Sequence, residues 1–166
     1  MKKSELNLPD GMNLRPVMAA DRPFIESLYK STRDDLKTID AEAGFIEELI
    51  EQQYHAQTVG YSENFPNAMY FVVEKVSERI GRVVVDFGPN EVRVVDIALI
   101  PTARNQGFGQ GIIKSLQYAA ASSGAPLTLT VAAGNIAATR LYAKMGFQPI
   151  EESPTYNLLA WYPNPQ

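Results

Sequence analysis

The spacing of apolar and polar positions divides the chain into a helical first third and a strand-rich centre. Met12 to Met18 reads as a short strand, and Ala19-Ala20-Asp21-Arg22-Pro23 as a helix start, with Asp21 as N-cap and Pro23 in the first turn. The helix is predicted from about Arg22 to Asp35. Asp40 can cap a second helix, in which Phe45, Ile46, Leu49, Ile50 and Tyr54 form one apolar stripe, running to about Tyr61. Pro66 and Asn67 break that pattern. Beyond them Tyr70–Val73, Arg82–Val85 and Val92–Ile100 are runs rich in β-branched residues, separated by Gly81 and by Gly88-Pro89-Asn90, and predict three successive strands joined by tight turns. A glycine-rich loop, Arg104 to Gly111, leads into a helix with Ile112, Ile113, Leu116, Ala119 and Ala120 on one face, ended by Gly124 and Pro126. Leu127–Val131 predicts another strand, Asn135 caps a helix that stops at Gly146, and Phe147–Ile150 with Tyr156–Trp161 predicts a closing hairpin. The order is mixed α/β, with no repeat, low-complexity segment or interdomain linker.

At 166 residues the expectation is one domain spanning 1–166, with its core over about 12–162. Composition chiefly excludes. Hydrophobic residues at 45% and charged residues at 20% are those of a soluble globular chain. A net charge of −4 gives no pull toward nucleic acid or an anionic membrane, so neither is expected as a partner. There is no Cys, which removes disulfides, thiolate metal sites and Cys nucleophiles and fits a reducing cytoplasm. The single His, His55, argues against His-ligated zinc and against a Ser-His-Asp hydrolase. Lys2 and Lys3 resemble a signal-peptide n-region, but Ser4 to Asn13 lacks the apolar run that should follow, and a cytoplasmic protein is expected.

The glycine loop is the first place where chemistry is legible. Gly107, Gly109 and Gly111 lie between a strand ending at Pro101 and a helix start, where converging N–H groups and the helix dipole make an anion site suited to phosphate. Two familiar phosphate loops fail against it. The dinucleotide fingerprint would need its third glycine where Ile112 stands, and the nucleotide P-loop needs Gly before Lys-Ser, whereas Ile113 precedes Lys114-Ser115.

The longer frame does match a family. Asp96-Ile97-Ala98-Leu99-Ile100-Pro101-Thr102-Ala103-Arg104-Asn105-Gln106-Gly107-Phe108-Gly109-Gln110-Gly111 resembles the acetyl-CoA-binding motif of the GNAT superfamily of N-acetyltransferases. Asn135 to Phe147, an Asn-initiated helix with Tyr142 and a closing Gly146-Phe147, resembles its second motif at the expected separation. The resemblance implies an α/β GNAT fold, a mixed, mostly antiparallel sheet flanked by helices. It implies transfer of an acetyl group from acetyl-CoA to a primary amine of a small molecule or protein, by direct attack and without a metal. Dimerisation is common among such proteins, so a homodimer is a further expectation.

Residue by residue, the resemblance places the pyrophosphate on the N–H groups of Gln106, Gly107, Phe108, Gly109 and Gln110, with Arg104 and Asn105 beside them. It places the pantetheine arm along the main chain of Ile97, Ala98 and Leu99, whose N–H groups could also polarise the thioester carbonyl. Asn135 and Tyr142 are seven residues apart, hence on nearly one helix face about 10 Å apart, with the small Ala138 between them. By resemblance Asn135 contacts the pantetheine and Tyr142 is the acid for the leaving thiolate. A phenol near pKa 10 is a weaker acid than a thiol near 8.5, so at ordinary values Tyr142 mainly hydrogen-bonds the sulfur.

The base is where the sequence departs from the pattern. Positions where relatives carry Glu hold Thr130 and Arg93. Asp96, in an otherwise apolar strand, is the candidate base or else a buried strut, with Asp86, Glu74 or a water chain as outsiders. Without a base the chain would be a non-catalytic acyl-CoA-binding module of the same fold. Residues 34–63 hold eight acids and one cation, a charge of −7 that leaves +3 for the remainder. This suits a cationic acceptor recognised through Glu47, Glu48 and Glu51, or else an ordinary solvated helix face. Tyr54, His55, Tyr61 and Tyr156 could line the acceptor cleft.

Overall fold

The computed structural model describes residues 8–163; Lys2 and Lys3 lie outside them. The strands are β1 (Met12–Pro16), β2 (Met69–Lys75), β3 (Glu78–Phe87), β4 (Val92–Leu99), β5 (Leu127–Ala132), β6 (Gln148–Glu152) and β7 (Tyr156–Trp161). The helices are α1 (Arg22–Thr32), α2 (Ala43–Asn64), α3 (Phe108–Ser123) and α4 (Ile136–Lys144). The strands make one seven-stranded sheet in the order β1-β2-β3-β4-β5-β7-β6, antiparallel throughout except for β4 and β5. That parallel pair needs a crossover, and α3 supplies it.

The core lies between the sheet and α3. Val83, Val85, Val92, Val94, Leu127 and Leu129 meet Ile112, Ile113, Leu116 and Ala120, all buried. On the opposite face α1 contacts β3 and β4, with Ile25 and Leu28 buried. A satellite cluster of Leu36, Ile46 and Ile50, with Tyr29 and Leu49 against it, ties α2 to the end of α1. The predicted apolar stripe of α2 is thus largely present, but Phe45 is 58% exposed and belongs to the outer face.

Several predicted boundaries move for identifiable reasons. β1 stops at Pro16 rather than Met18, α1 at Thr32 rather than Asp35, and a 3-10 turn, Asp34–Thr38, follows. The second helix has Glu42, not Asp40, at its N-cap and runs on to Asn64. Asp21 occupies the N-cap of α1, but its carboxylate makes no cap bond. It instead receives the Met18 N–H at 2.8 Å, both Nη atoms of Arg15 at 2.8 Å and Arg79 Nη1 at 3.2 Å, a 1%-exposed charge that pins α1 to β1 and β3. Gly81 is not a turn: it sits inside β3 opposite Leu99, and the turn is at Val76 and Ser77, whose φ angles of 49° and 68° give a mirror-type hairpin without glycine. Gly81 is small for a different reason. A Cβ there would lie 2.3 Å from the Ala98 carbonyl oxygen.

One irregularity positions everything that follows. Val84 lies opposite Asp96 and Val85 opposite Val94, so Val95 is an extra residue, a β-bulge in β4. Side chains alternate between faces, and the inserted residue reverses the alternation. Ile97 and Leu99 therefore continue on the α3 side with Val92 and Val94, and pack on the core there, while Asp96 and Ala98 turn to the α1 side with Arg82 and Val84. Without the bulge Asp96 would point into the core.

Candidate active site

β4 and β5 pair only over Val92–Val94 with Leu127–Leu129. Beyond Val94 they separate, because β5 stays with β7 as far as Ala132 while β4 stays with β3 as far as Leu99. The gap opens into a cleft of about 930 Å³ lined by Asp96, Ile97, Ala98 and Leu99 of β4, Ala132, Asn135, Tyr142, Arg104 and Gly109, and on its other wall by residues of α1, the 3-10 turn and Gln57. The strand end, the second-motif helix and Gly109 of the loop, distant in sequence, thus share one cavity.

Main-chain direction distinguishes the three strand residues. The Ile100 N–H donates to Ile80 O, and Ala98 O lies against Gly81, so residues 98 and 100 point their polar groups at β3. By alternation the groups of Ile97 and Leu99 point out into the gap. Leu99 O accordingly accepts from Arg104 Nε at 2.9 Å. An arm lying along this edge would find the N–H and C=O of Ile97 and the N–H of Leu99; Ala98 presents only its methyl group.

The loop divides its glycines by task. Gly107 has φ +84° with open space around it, and the first helical bond of α3 runs from Gly111 N to Gly107 O at 2.9 Å. The N–H groups of Phe108, Gly109 and Gln110 therefore have no helical acceptor. Asn105 is also left-handed, with φ +61°. Gly111 is small because Pro9 sits where its Cβ would be, at 2.6 Å. Arg104 donates to Leu99 O and reaches Ser31 Oγ at 3.2 Å, tying the end of β4 to α1, and lines the cleft with Gly109. The Gln106 side chain donates to Thr102 O.

On α4, Asn135 Oδ1 caps the helix by accepting the Ala138 N–H at 3.1 Å, so its amide NH₂ is the part left to face the cleft. Tyr142 packs edge-on against Phe147, ring centroids 5.5 Å apart, and burial raises its pKa above the ordinary phenol value. At neutral pH it is a hydrogen-bond donor.

The candidate base has a partner that sequence reading did not supply. Arg82, 7% exposed, donates to Asp96 Oδ2 from Nη2 at 2.6 Å and from Nε at 3.2 Å, and from Nη2 to Gln57 Oε1 at 3.1 Å. The Tyr61 ring lies 5.9 Å from the same guanidinium, and burial together with the Asp96 charge holds the Tyr61 phenol above its ordinary range. Thr130 and Arg93 lie outside the cleft, in a smaller one of about 430 Å³ with Tyr61, Glu151 and Tyr156. There Arg93 donates to Thr128 Oγ1 at 2.7 Å and pairs with Glu91 at 3.0 Å. Asp86 and Glu74 line none of the described clefts, and Glu74 is bound to Arg15.

Of the eight acids in residues 34–63, Asp34 and Asp35 line the main cleft. Glu47 and Glu48 are exposed on the outer face of α2, and Glu51, with His55, borders a separate pocket of about 460 Å³ between α1 and α2. Tyr54 is shared by that pocket and by a neighbour of about 690 Å³ that also contains Tyr61 and Arg82. Among the described residues no helix is long and apolar enough to cross a membrane.

Comparison with known proteins finds a matching family profile and solved structures of the same fold. The Acetyltransferase (GNAT) family profile matches residues 25–147. A curated relative, the β-lysine N(6)-acetyltransferase of Methanosarcina mazei, is 26% identical over 118 residues, which are 70% of this chain and 38% of that protein. The chain therefore spans well under half the length of that relative. Among solved structures, the PaiA N-acetyltransferase of Thermoplasma acidophilum in complex with coenzyme A superposes with TM-score 0.68 at 15% identity, covering 91% of this chain and 98% of that one. The ribosomal-protein-S18-alanine N-acetyltransferase of Escherichia coli gives 0.64 at 15%, covering 93% and 96%.

Proposed function

The chain belongs to the Acetyltransferase (GNAT) family, and from that premise we propose that it transfers an acetyl group from acetyl-CoA to a primary amine in the gap between β4 and β5. The observation that carries this reading is that the outward main-chain edge of Ile97 and Leu99, the Tyr142 phenol and the Asn135 amide share one cavity with Gly109 of the anion-binding loop.

The residues fit an acyl-CoA. Phe108, Gly109 and Gln110 offer free N–H groups beside the open space at Gly107, suited to a pyrophosphate without a metal. Ile97 and Leu99 offer a strand edge to an amide-bearing arm, with the Asn135 NH₂ across from it. When bound, acetyl-CoA supplies an activated acyl carbon to which the amine nitrogen bonds as the C–S bond breaks, leaving a thiolate.

Each protein group then has one task. The Ile97 N–H, already oriented, donates to the carbonyl oxygen as negative charge grows there. The Tyr142 hydroxyl donates to the departing sulfur; its raised pKa makes it a hydrogen-bond donor rather than a full proton donor. Asp96 takes the proton the amine sheds, through Oδ1, the oxygen left over from Arg82. Asp34 and Asp35, which line the same cleft, favour a cationic acceptor, Asp35 being paired with Arg33 at 3.3 Å. The M. mazei relative is named for an amine acceptor, which agrees with this class.

The experiment is calorimetry with acetyl-CoA, CoA, ATP and NAD, followed by free-thiol release against a panel of primary amines. Binding confined to the first two, with amine-dependent thiol release, supports transfer. Acetyl-CoA binding with no thiol release from any amine would favour the binding-module alternative, to which Thr130 and Arg93 point.

A further inference from the structure

Resting on that reading, we infer that Arg82 is a positioning residue for the transfer, fixing Asp96, with Gln57 as its support, so that one carboxylate oxygen faces the amine. A guanidinium in this place is costly to fold. Arg82 is 7% exposed and is followed in β3 by Val83, Val84 and Val85, all fully buried. Replacing a buried ion pair by apolar residues of similar volume is often neutral or stabilising, so stability alone gives little reason for the pair.

Its geometry suits another purpose. Arg82 stands opposite Ala98 and Asp96 opposite Val84, on the same face of the sheet, so the contact is a diagonal one across β3 and β4. It holds the Asp96 carboxylate toward the Arg82 side of its own position, within the main cleft. Both Arg82 donors converge on Oδ2, at 2.6 and 3.2 Å, instead of taking one oxygen each. Oδ1 has no partner among the described residues, and Asp96 remains 22% exposed, in the cleft. The guanidinium is held in turn by Gln57 Oε1 and covered by Tyr61 one helical turn on. Gln57, Arg82 and Asp96 all line the main cleft, and Arg82 also lines its neighbour.

The charged and titratable groups that share the cleft with the carboxylate are Arg82, Arg104, Tyr29, Tyr142, Asp34 and Asp35, the last paired with Arg33 at 3.3 Å, with Tyr61 of α2 against the Arg82 guanidinium. Among the described residues Arg82 is the one cation paired with Asp96. An ammonium acceptor meets a carboxylate whose orientation is already set: one proton passes to Oδ1 to give the neutral amine, and the second, shed from nitrogen as the C–N bond forms and the C–S bond breaks, goes to the departing thiolate, while the guanidinium stays on Oδ2.

The test is a double-mutant cycle on the full chain, using n-butylamine, 1,4-diaminobutane and an N-blocked lysine amide as probes. Arg82→Gln should lower kcat about 10- to 100-fold, the lower part of the range for general-base effects, with acetyl-CoA KM and the CoA affinity measured by calorimetry unchanged within twofold. Arg82→Lys, able to place one donor on Oδ2, should recover part of the loss. Gln57→Leu, which removes the support of Arg82 but leaves the ion pair, should weaken calorimetric binding of the active amine to the CoA-loaded protein, a readout independent of turnover. Combined with Asp96→Asn, Arg82→Gln should cost nothing more. Losses that multiply in the double variant, or equal falls in CoA and amine affinity, would overturn the positioning role alone. A wild-type protein that releases no thiol with any probe would overturn the transfer reading and this role with it.

Discussion

Arg104 Nε donates to the Leu99 carbonyl at 2.9 Å, and its Nη2 reaches Ser31 Oγ at 3.2 Å, so one guanidinium closes the end of β4 against α1. This contact spans the acceptor wall and the strand edge along which acetyl-CoA is proposed to lie. Hydrogen bonds from a charged donor contribute about 1.5–3 kcal/mol each. Arg104→Ala should lower Tm by several degrees and raise acetyl-CoA KM at least fivefold, as measured by melting curves and initial rates. Losing only acetyl-CoA affinity, with Tm unchanged, would instead support the phosphate role expected from sequence.

Tyr142→Phe removes the phenol assigned to the departing sulfur while keeping the edge contact with Phe147. The expected result is a fall in kcat of at least tenfold with CoA affinity retained, since general-acid assistance is worth about 10²–10⁴-fold and hydrogen bonding alone less. Because burial raises the Tyr142 pKa, the donor persists through pH 9, and no alkaline loss of kcat should appear below that. Undiminished turnover of the Phe variant removes Tyr142 from the chemistry.

Asp21 carries the pH dependence of stability. Its carboxyl is held well below the ordinary range, first by the Arg15 side chain and then by the Met18 N–H. A depressed folded pKa gives stability that is complete above the ordinary carboxylate value near 4 and lost as pH falls below it. Tm should therefore drop between pH 4 and 2. Asp21→Ala should cost about 2 kcal/mol at pH 7, the scale for hydrogen bonds to a charged group, since Arg15 keeps Glu74, and flatten that acid slope.

Gly81→Ala tests the close approach of β3 and β4. The added methyl would fall 2.3 Å from Ala98 O and 2.7 Å from Leu99 Cδ2. Overpacking of this kind costs about 1–3 kcal/mol, and a displaced β4 should also weaken acetyl-CoA binding. A stable variant with full affinity would show that the strand edge tolerates the shift.

The acidic wall has a paired test. Asp34→Asn with Asp35→Asn should raise the acceptor KM several-fold without affecting acetyl-CoA, whereas Glu47→Gln with Glu48→Gln, on the outer face of α2, should change neither. An equal effect from both pairs would mean that net charge, and not the cleft wall, attracts the amine.

The sequence made the loop, the strand leading into it and the capped helix of Asn135 readable, because glycine, proline and asparagine act locally through backbone geometry. Three things were not local. The bulge at Val95 has no marker of its own; it exists only as a mismatch with β3, yet it decides which face Asp96 occupies. The Arg82–Asp96 pair joins residues on different strands with a support from α2, so the sequence offered Asp96 as a base or a hydrogen-bonded strut without indicating its partner. The turn at Val76–Ser77 contains neither glycine nor asparagine, and Gly81, which serves strand packing, drew the turn assignment instead. The acidic count of residues 34–63 likewise could not say that Glu47 and Glu48 face outward while Asp34 and Asp35 face the cleft.

The most direct measurement is the stoichiometry of one reaction, with CoA thiol and N-acetylated amine quantified together by mass spectrometry as acetyl-CoA is consumed. Transfer in the gap between β4 and β5 predicts equal amounts of the two products, dependent on the amine. Thiol release without acetylated amine, or tight acetyl-CoA binding with neither product, would contradict it.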